Sequence, residues 1–407
     1  MSDTSLFTPF RGERYADPRS LATRLAPPYD VIAPVQRGAL VAGDPHNIVA
    51  VDLPAASGGG DPYSEAARLL AEWRAAGILV RDDGPCAYVL RTAGRFPDGT
   101  RHERTGVFLA VAAEPFTSGR VRPHERTHAA AKEDRRRLMH ATGANLSPIF
   151  LLAPDGDGRL AAALSAVAAR EPWATCTAVG AEQTVWIVAG EEARRLAEAA
   201  GAEPVYVADG HHRFETSVLF RAEAPAAWRE GAARTLSHVV SFKDPGLVIL
   251  PTHRLVVGDP LDPEAFLRAA APYFVPAPSG RAPTLTVLFQ GGCEVPLLVR
   301  EDAELRGADG KPVHPAVRSL EVAVADGLAI GAVAASLLGR VPELRYSADG
   351  AEARATGRDG GYACVILLPP TRLEAVRRVA DAGQIMPPKS TFFAPKVPTG
   401  VVLRPFV

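Results

Sequence analysis

The chain lacks most of what would mark a disulfide scaffold, a membrane protein or a polyanion binder. Its four cysteines, Cys86, Cys176, Cys293 and Cys364, lie far apart with no C-x-x-C pair. That spacing excludes a disulfide framework and a zinc knuckle, and the thiols read as ordinary buried ones. No apolar run reaches the length of a membrane span, and Met1 to Arg14 has no basic-then-apolar pattern. A cytoplasmic protein without a membrane partner is therefore expected. Excess charge of one sign is also missing, since 45 Lys and Arg stand against 46 Asp and Glu. No whole-molecule field draws the chain to nucleic acid or anionic lipid, so any polyanion-binding surface must be local. No G-x-x-x-x-G-K-[ST] occurs, and no G-x-G-x-x-G follows a strand, which leaves P-loop and Rossmann chemistry without support. There is no internal repeat.

What is present is 407 residues, 47% of them hydrophobic, enough to bury a large core in two or three domains. Ala66, Leu69, Leu70 and Trp73 share one face of a helix that opens at Asp61-Pro62, after the Ala55 to Gly60 loop, and stops at Gly77. Ala87 to Arg91 and Arg104 to Val111, separated by Pro97-Asp98-Gly99, predict an antiparallel hairpin. The charged stretch Arg120 to His140 predicts a helix beginning near Pro123 and ending at Gly143. Strands are expected at Pro148 to Leu152, Thr184 to Val188 and Val205 to Ala208, with a helix at Glu191 to Ala200 giving a β-α-β pattern. Further strands are expected at Thr235 to Phe242, Leu247 to Pro251, Leu285 to Phe289 and Pro296 to Val299. Near the end, Thr371 and Glu374 have capping-box spacing before the stripe Leu373, Val376, Val379, with Gly383 as the stop.

The chemistry concentrates in Ala208-Asp209-Gly210-His211-His212-Arg213, where a β-type run breaks before a helix expected from about Phe214. Backbone N–H groups at a helix start attract anions, glycine lets a phosphate approach closely, and Arg213 can supply a fork of donors. The two histidines can also handle a proton. The competing reading is an Asp helix cap with surface histidines. His124-Glu125-Arg126-Thr127-His128 spells H-E-x-x-H, but Pro123 would put His124 in a first helical turn and no third ligand follows, so no metal residues are assigned. Glu125 suits a general base better, with His124, Lys132 or Arg135 holding phosphate charge. Asp30, Asp134 and Asp209 are alternative carboxylates that spacing does not separate. Met386-Pro387-Pro388-Lys389-Ser390-Thr391, followed by Lys396, offers two cations and two hydroxyls in a Pro-bounded loop suited to closing over phosphates. His253 and Arg254 could add basic contacts at a strand end.

Asp-Gly-His-His-Arg after a strand resembles the signature of the ParB and sulfiredoxin superfamily, which includes free serine kinases that make phosphoserine using a nucleotide. A wider resemblance, to the family known as domain of unknown function 1015, rests on Ala26 to Ile32, His124 to Thr127 with Lys132 to Arg135, Asn145 to Phe150, Ala208 to Arg213, Leu250 to Arg254, and Met386 to Phe393 with Pro395-Lys396. That family's pattern includes His124, Glu125 and Thr127 but not His128. The resemblance implies a mixed α/β (α+β) fold with a ParB/sulfiredoxin-like core and additional N- and C-terminal α/β elements. The expected regions are 1–150, 151–260 with the turn, and 261–407. It implies a nucleotide-dependent kinase of a small hydroxylated metabolite, free serine first, using ATP or ADP with Mg²⁺ able to bridge the phosphates. Glu125, Asp209 and His211 would be catalytic. Gly210, His211, His212, Arg213, His124, Lys132, Arg135, His253, Arg254, Lys389, Ser390, Thr391 and Lys396 would hold phosphates. The alternative is a ParB-like nucleotide-binding switch without metabolic turnover. Against DNA binding, no helix-turn-helix pattern follows the turn and no basic excess exists. A sulfiredoxin-like repair activity would need cysteine in the turn, where histidine stands.

Overall fold

Nine strands build the main sheet: β1 (Phe7–Thr8), β2 (Cys86–Arg95), β3 (Arg101–Ala112), β4 (Val121–Arg122), β5 (Ile149–Ala153), β6 (Ala174–Ala178), β7 (Ala181–Ala189), β8 (Val205–Asp209) and β9 (Arg234–Ser241). The computed structural model describes residues 5–56, 59–96, 99–127, 129–307 and 309–407, with the backbone alone for 129–131. The order across the sheet is β4-β8-β5-β9-β3-β2-β7-β6, with β1 on β3. Pairs β4/β8 and β5/β9 are parallel and the rest antiparallel, so the sheet is mixed. The fold is mixed α/β, as the sequence implies. The expected β2–β3 hairpin forms, although Pro97 and Asp98 of its turn lie outside the described residues. Strands β7 and β8 run in the same sense around the helix Gly190–Ala200, but four strands separate them.

The helices of this part include α1 (Pro62–Ala75), α2 (Ala129–Thr142), α3 (Arg159–Ala168), α4 (Gly190–Ala200) and α5 (His211–Glu223). Helix α1 forms as read: Asp61 caps it by accepting from the Ser64 amide at 2.9 Å, a contact of about 1 kcal/mol. Ala66, Leu70 and Trp73 are buried, and Gly77 turns the chain with φ +67°. One face of the sheet packs Val107, Leu109, Ile149, Leu151, Val205 and Val207 against Leu160, Leu164 and Leu196 of α3 and α4, and against Phe214 of α5. Fully burying each large apolar side chain here contributes roughly 1.5–3 kcal/mol.

The chain divides into two compact units that cross the boundaries expected at 150 and 260. One comprises Met1–Pro123, Thr127–Val248 and Pro395–Val407, and the other His124–Arg126 and Ile249–Ala394. The second unit carries its own antiparallel sheet. Its strands are β10 (His253–Val256), β11 (Phe274–Pro276), β12 (Leu285–Leu288), β13 (Glu294–Val299), β14 (Leu344–Ser347) and β15 (Cys364–Leu367), ordered β11-β13-β12-β15-β10-β14.

Several expectations need correcting. The charged helix starts at Ala129, not near Pro123, because Val121–Arg122 joins the sheet beside β8 and residues 123–127 leave it irregularly. The helix after the turn starts at His211, three residues before Phe214. No capping box forms at Leu373–Asp381, because the Thr371 hydroxyl donates to the Ser390 carbonyl at 2.7 Å instead. Cys86 and Cys364 are buried, but Cys176 is half-buried and Cys293 is exposed. Glu321–Leu338 is an 18-residue helix apolar enough to span a membrane by length and composition, with mean hydropathy 1.7. Half of it is buried inside the protein, and its Asp326 is ion-paired to the buried Arg254, which reads as a core helix.

Candidate functional site

Strand β8 alternates Val205 and Val207 into the core, which by itself would send Asp209 inward too. A bulge at Ala208 prevents this. Val207 pairs with Leu151, and Asp209 then pairs with Phe150, so one residue is slipped out and Asp209 turns to the face opposite the apolar cluster. Gly210 follows with φ +93° as the N-cap of α5, a conformation that favours glycine. A Cβ there would lie 3.0 Å from Arg213 Nε. Helix α5 thus begins where the sheet ends, with the Gly210 to Arg213 backbone at its positive pole.

Two cations converge on Asp209. Lys396 Nζ donates to Oδ1 and Arg213 Nη2 to Oδ2, each at 2.5 Å. Burial alone would raise the carboxyl pKa, but the charges of Lys396 and Arg213 outweigh it and hold the group well below the usual carboxylate range. A carboxylate so saturated is suited to fixing the two cations and poorly suited to taking a proton. Arg213 is buried and its Nη1 donates to the Pro148 carbonyl. Its fork is therefore largely committed to groups of its own chain. His211 is buried and His212 half-buried at the first turn of α5.

Behind Arg213 lies Tyr29, whose ring is 5.9 Å from the Arg213 guanidinium and 3.9 Å from that of Arg135. Arg135 is buried and donates to Asp52 and Asp134. Ser147 also donates to Asp52, at 2.5 Å, and a small cavity lined by Asp52, Arg135, Ser147 and Arg213 adjoins this cluster. Arg135 therefore supports the tyrosine and is unavailable as a phosphate ligand, contrary to expectation. Asp134 is spent on Arg135 and on the Tyr63 hydroxyl, at 2.8 Å. Lys132 is ion-paired with Glu215 at 2.9 Å, a contact within the α2–α5 pair. Burial would raise the Glu215 pKa, but the Thr127 and Lys132 bonds more than offset it. By contrast Asp30, in the turn Tyr29–Val31, is exposed and makes no hydrogen bond or ion pair among the described residues. It acts on Arg213 through space.

Residues 123–127, of which His124–Arg126 belong to the second unit, form no helix, so the H-E-x-x-H reading loses its geometric basis, and His128 lies outside the described residues. His124 is buried, with Nε2 3.1 Å from Thr391 Oγ1 and its carbonyl accepting from the Met386 amide at 2.9 Å. Glu125 is half-buried. Arg254 is fully buried and ion-paired to Asp326 at 2.8 Å, and it also donates to the carbonyls of Thr252, Pro388 and Lys389. It is a clamp on the Pro387–Ser390 loop, not a phosphate contact. Ser390 is buried and donates to the Pro387 carbonyl at 2.6 Å. The clamped loop holds Lys389 exposed at φ +54°, a left-handed conformation uncommon for lysine. His253 accepts from the Leu368 amide at 3.1 Å, and burial, aided by Arg354 and Arg254, lowers its pKa to about 4. It is a neutral structural histidine.

Among the described residues no group of three or more His, Cys, Asp or Glu is arranged to hold a metal ion. What sequence reasoning missed is Arg104, whose guanidinium sits 4.6 Å over the Phe150 ring on the sheet face that Asp209 shares. Both faces of β3 are polar in this stretch, so no periodicity singles it out.

No curated protein matches the chain. Solved structures similar to it include a free serine kinase variant in complex with ADP, with TM-score 0.37, 14% identity, and 73% of this chain and 92% of that chain covered. A hypothetical protein from Pyrococcus furiosus gives TM-score 0.35 and 15% identity over 73% of this chain and 94% of that one. C-terminally truncated SbnI from Staphylococcus aureus gives 0.36 and 11%, covering 73% and 81%. These likenesses are distant. The family described as Protein of unknown function (DUF1015) matches residues 7–323, well over half of the chain, and the chain belongs to that family.

Proposed function

We propose that the first unit binds the phosphates of a nucleotide, ATP or ADP, at the Asp209 turn and serves phosphoryl transfer to a small hydroxylated metabolite. The observation that carries this reading is the turn itself. A left-handed glycine opens a 13-residue helix directly after a carboxylate that fixes one lysine and one arginine. Backbone N–H groups, a helix pole and a positioned lysine suit a phosphate chain, and such preorganised positive charge is what phosphoryl transfer requires. Asp209 orients Lys396 and Arg213. Asp30, a carboxylate that acts on Arg213 through space and has no hydrogen bond or ion pair among the described residues, is the proton acceptor for the substrate hydroxyl, with His211 as a second titratable group at the turn. A magnesium ion would be carried mainly by the phosphates themselves. Serine is the first acceptor to test, because the turn resembles that of the free serine kinases.

The test is a thermal-shift screen against ATP, ADP, CTP and GTP with Mg²⁺, with and without serine, on the wild type, Lys396→Met and Asp30→Asn. Nucleotide should raise the melting temperature of the wild type and shift Lys396→Met much less. Asp30→Asn should keep the nucleotide shift while losing serine-dependent nucleotide consumption, and Glu125→Gln in the same assay decides between the two carboxylates. Binding without metabolite-dependent turnover would leave the nucleotide-switch alternative. No shift with any nucleotide would sink both.

A further inference from the structure

The face of the sheet turned away from the apolar cluster carries a row of aromatic and basic side chains. Phe150 of β5 is opposite Asp209 in the ladder, His238 of β9 is opposite Phe150, and Phe108 of β3 is opposite His238. The rings are in contact, with His238 4.7 Å from Phe108 and 5.9 Å from Phe150 between centroids. Over this row lies the Arg104 guanidinium, 4.6 Å above Phe150. Adjacent strands are roughly 5 Å apart, which places the row beside the Asp209 turn.

Arg104 is 1% exposed, and none of its Nε, Nη1 and Nη2 atoms has a hydrogen-bond partner among the described residues. Both ring nitrogens of His238, also 1% exposed, lack one, as does Nδ1 of His102. The Asp244 carboxylate, which acts on Arg104 through space, accepts instead from the amides of Thr105 and Gly246 at 2.9 and 2.8 Å. Burial lowers the Arg104 pKa to about 10, so the group is still charged at neutrality. Room for the imidazoles is built in. A Cβ at Gly106 would stand 2.5 Å from His238 Cε1, and one at Gly94 2.9 Å from His102 Nε2. His102 follows Arg104's alternation on β3 and lines an open cleft with Gly94, Glu103 and Gly246.

A buried cation without a hydrogen-bond acceptor is costly to folding, and the ring contact with Phe150 leaves its N–H donors unfilled. We propose that Arg104, with His238 beside it, is the receptor for the oxyanion of a small substrate, a carboxylate or a phosphate. It lies on the same sheet face as the phosphate turn. The planar guanidinium presents parallel donors that match two oxygens of such a group, and neutral His238 adds one donor and one acceptor. Naming the ligand as the acceptor substrate rests on the kinase reading; the subsite itself does not.

The experiment is calorimetric titration of the full chain, as wild type, Arg104→Met, Arg104→Lys and Lys396→Met. The probes are L-serine, serinol (the same hydroxyl and amine without the carboxylate), inorganic phosphate, and ADP with Mg²⁺. L-Serine should bind the wild type, and Arg104→Met should weaken it by at least about tenfold, the range for losing charge-assisted hydrogen bonds. Arg104→Lys should recover part of the affinity, and serinol should bind the wild type no better than serine binds Arg104→Met. Melting temperature should be unchanged or higher in Arg104→Met, which a structural role would not allow. If phosphate is the probe that loses affinity, the oxygens recognised are phosphate's. Serine and phosphate affinities both unaffected, neither probe binding the wild type, or a markedly lower melting temperature would overturn the subsite. Arg104-dependent serine binding without nucleotide binding would remove the kinase reading and keep the subsite. Lys396-dependent ADP binding without an Arg104 effect would do the reverse.

Discussion

Arg104 and Arg254 are the two largest side chains that the fold buries completely, and their surroundings differ in kind. Arg254 sits within a full set of acceptors, the Asp326 carboxylate and three main-chain carbonyls. Arg104 lies on an aromatic ring with no acceptor among the described residues. Arg213, in the same unit as Arg104, resembles Arg254, with Asp209 and the Pro148 carbonyl as its partners. A buried charge whose donors are filled by its own chain is scaffold. One whose donors are left open carries a desolvation cost that no hydrogen bond offsets, so its retention points to a ligand.

The largest consequence falls on Arg254. Removing it strands Asp326, which is 23% exposed, and leaves the Thr252, Pro388 and Lys389 carbonyls without their donor. Arg254→Met is expected to cost about 3–5 kcal/mol, measured by denaturant unfolding. Adding Asp326→Leu should restore much of that, because the unpaired carboxylate is the expensive remnant. A cost under about 1 kcal/mol would dissolve the contrast with Arg104.

Next comes the acid limb of stability. Burial would raise the Asp209 pKa, but Lys396 and Arg213 hold it depressed. Its folded value is thus below its unfolded value of about 4. The stabilisation is complete above about pH 4 and is lost as pH falls through the folded value. Asp209→Asn should lower stability at neutral pH and flatten the loss on acidification below about pH 4, as read from melting temperature against pH. An unchanged acid limb would mean that Asp209 is not the anchor of its two cations.

Smaller again is Thr371, a buried hydroxyl paired to the Ser390 carbonyl. Thr371→Val should cost about 1 kcal/mol without loss of helix signal in circular dichroism. A loss of helicity would restore the capping role that its spacing before Glu374 implied.

These contrasts also explain what was legible in the sequence. The turn at Asp209 was legible because a β-type run ending in Asp-Gly before an amphipathic segment has few other solutions, and the hairpin and α1 followed from periodicity and caps. The bulge at Ala208 was not, since alternation through Val205 and Val207 puts Asp209 in the core, and only pairing with β5 shows the slip. Basic residues near phosphate-like motifs read as ligands until their partners are known. Arg135, Lys132 and Arg254 turned out to be committed to carboxylates, carbonyls or both. Arg104 had no signal in the strand pattern. Burial and the absence of acceptors are properties of the folded sheet.

The smallest stability effect is expected where the side chain is largest. Arg104→Met replaces a desolvated guanidinium by an apolar chain of similar reach that can lie on the Phe150 ring. The substitution forfeits a cation–π contact of roughly 0.5–2 kcal/mol. It also removes the burial penalty that lowers the group's pKa to about 10. These terms oppose one another, so unfolding free energy should change by less than about 1 kcal/mol or rise. Measured beside Arg254→Met under identical denaturant conditions, the two variants should differ by several kcal/mol although both delete a fully buried arginine. Similar costs would mean that Arg104 does have acceptors in the folded protein, and the distinction between scaffold and receptor would fall.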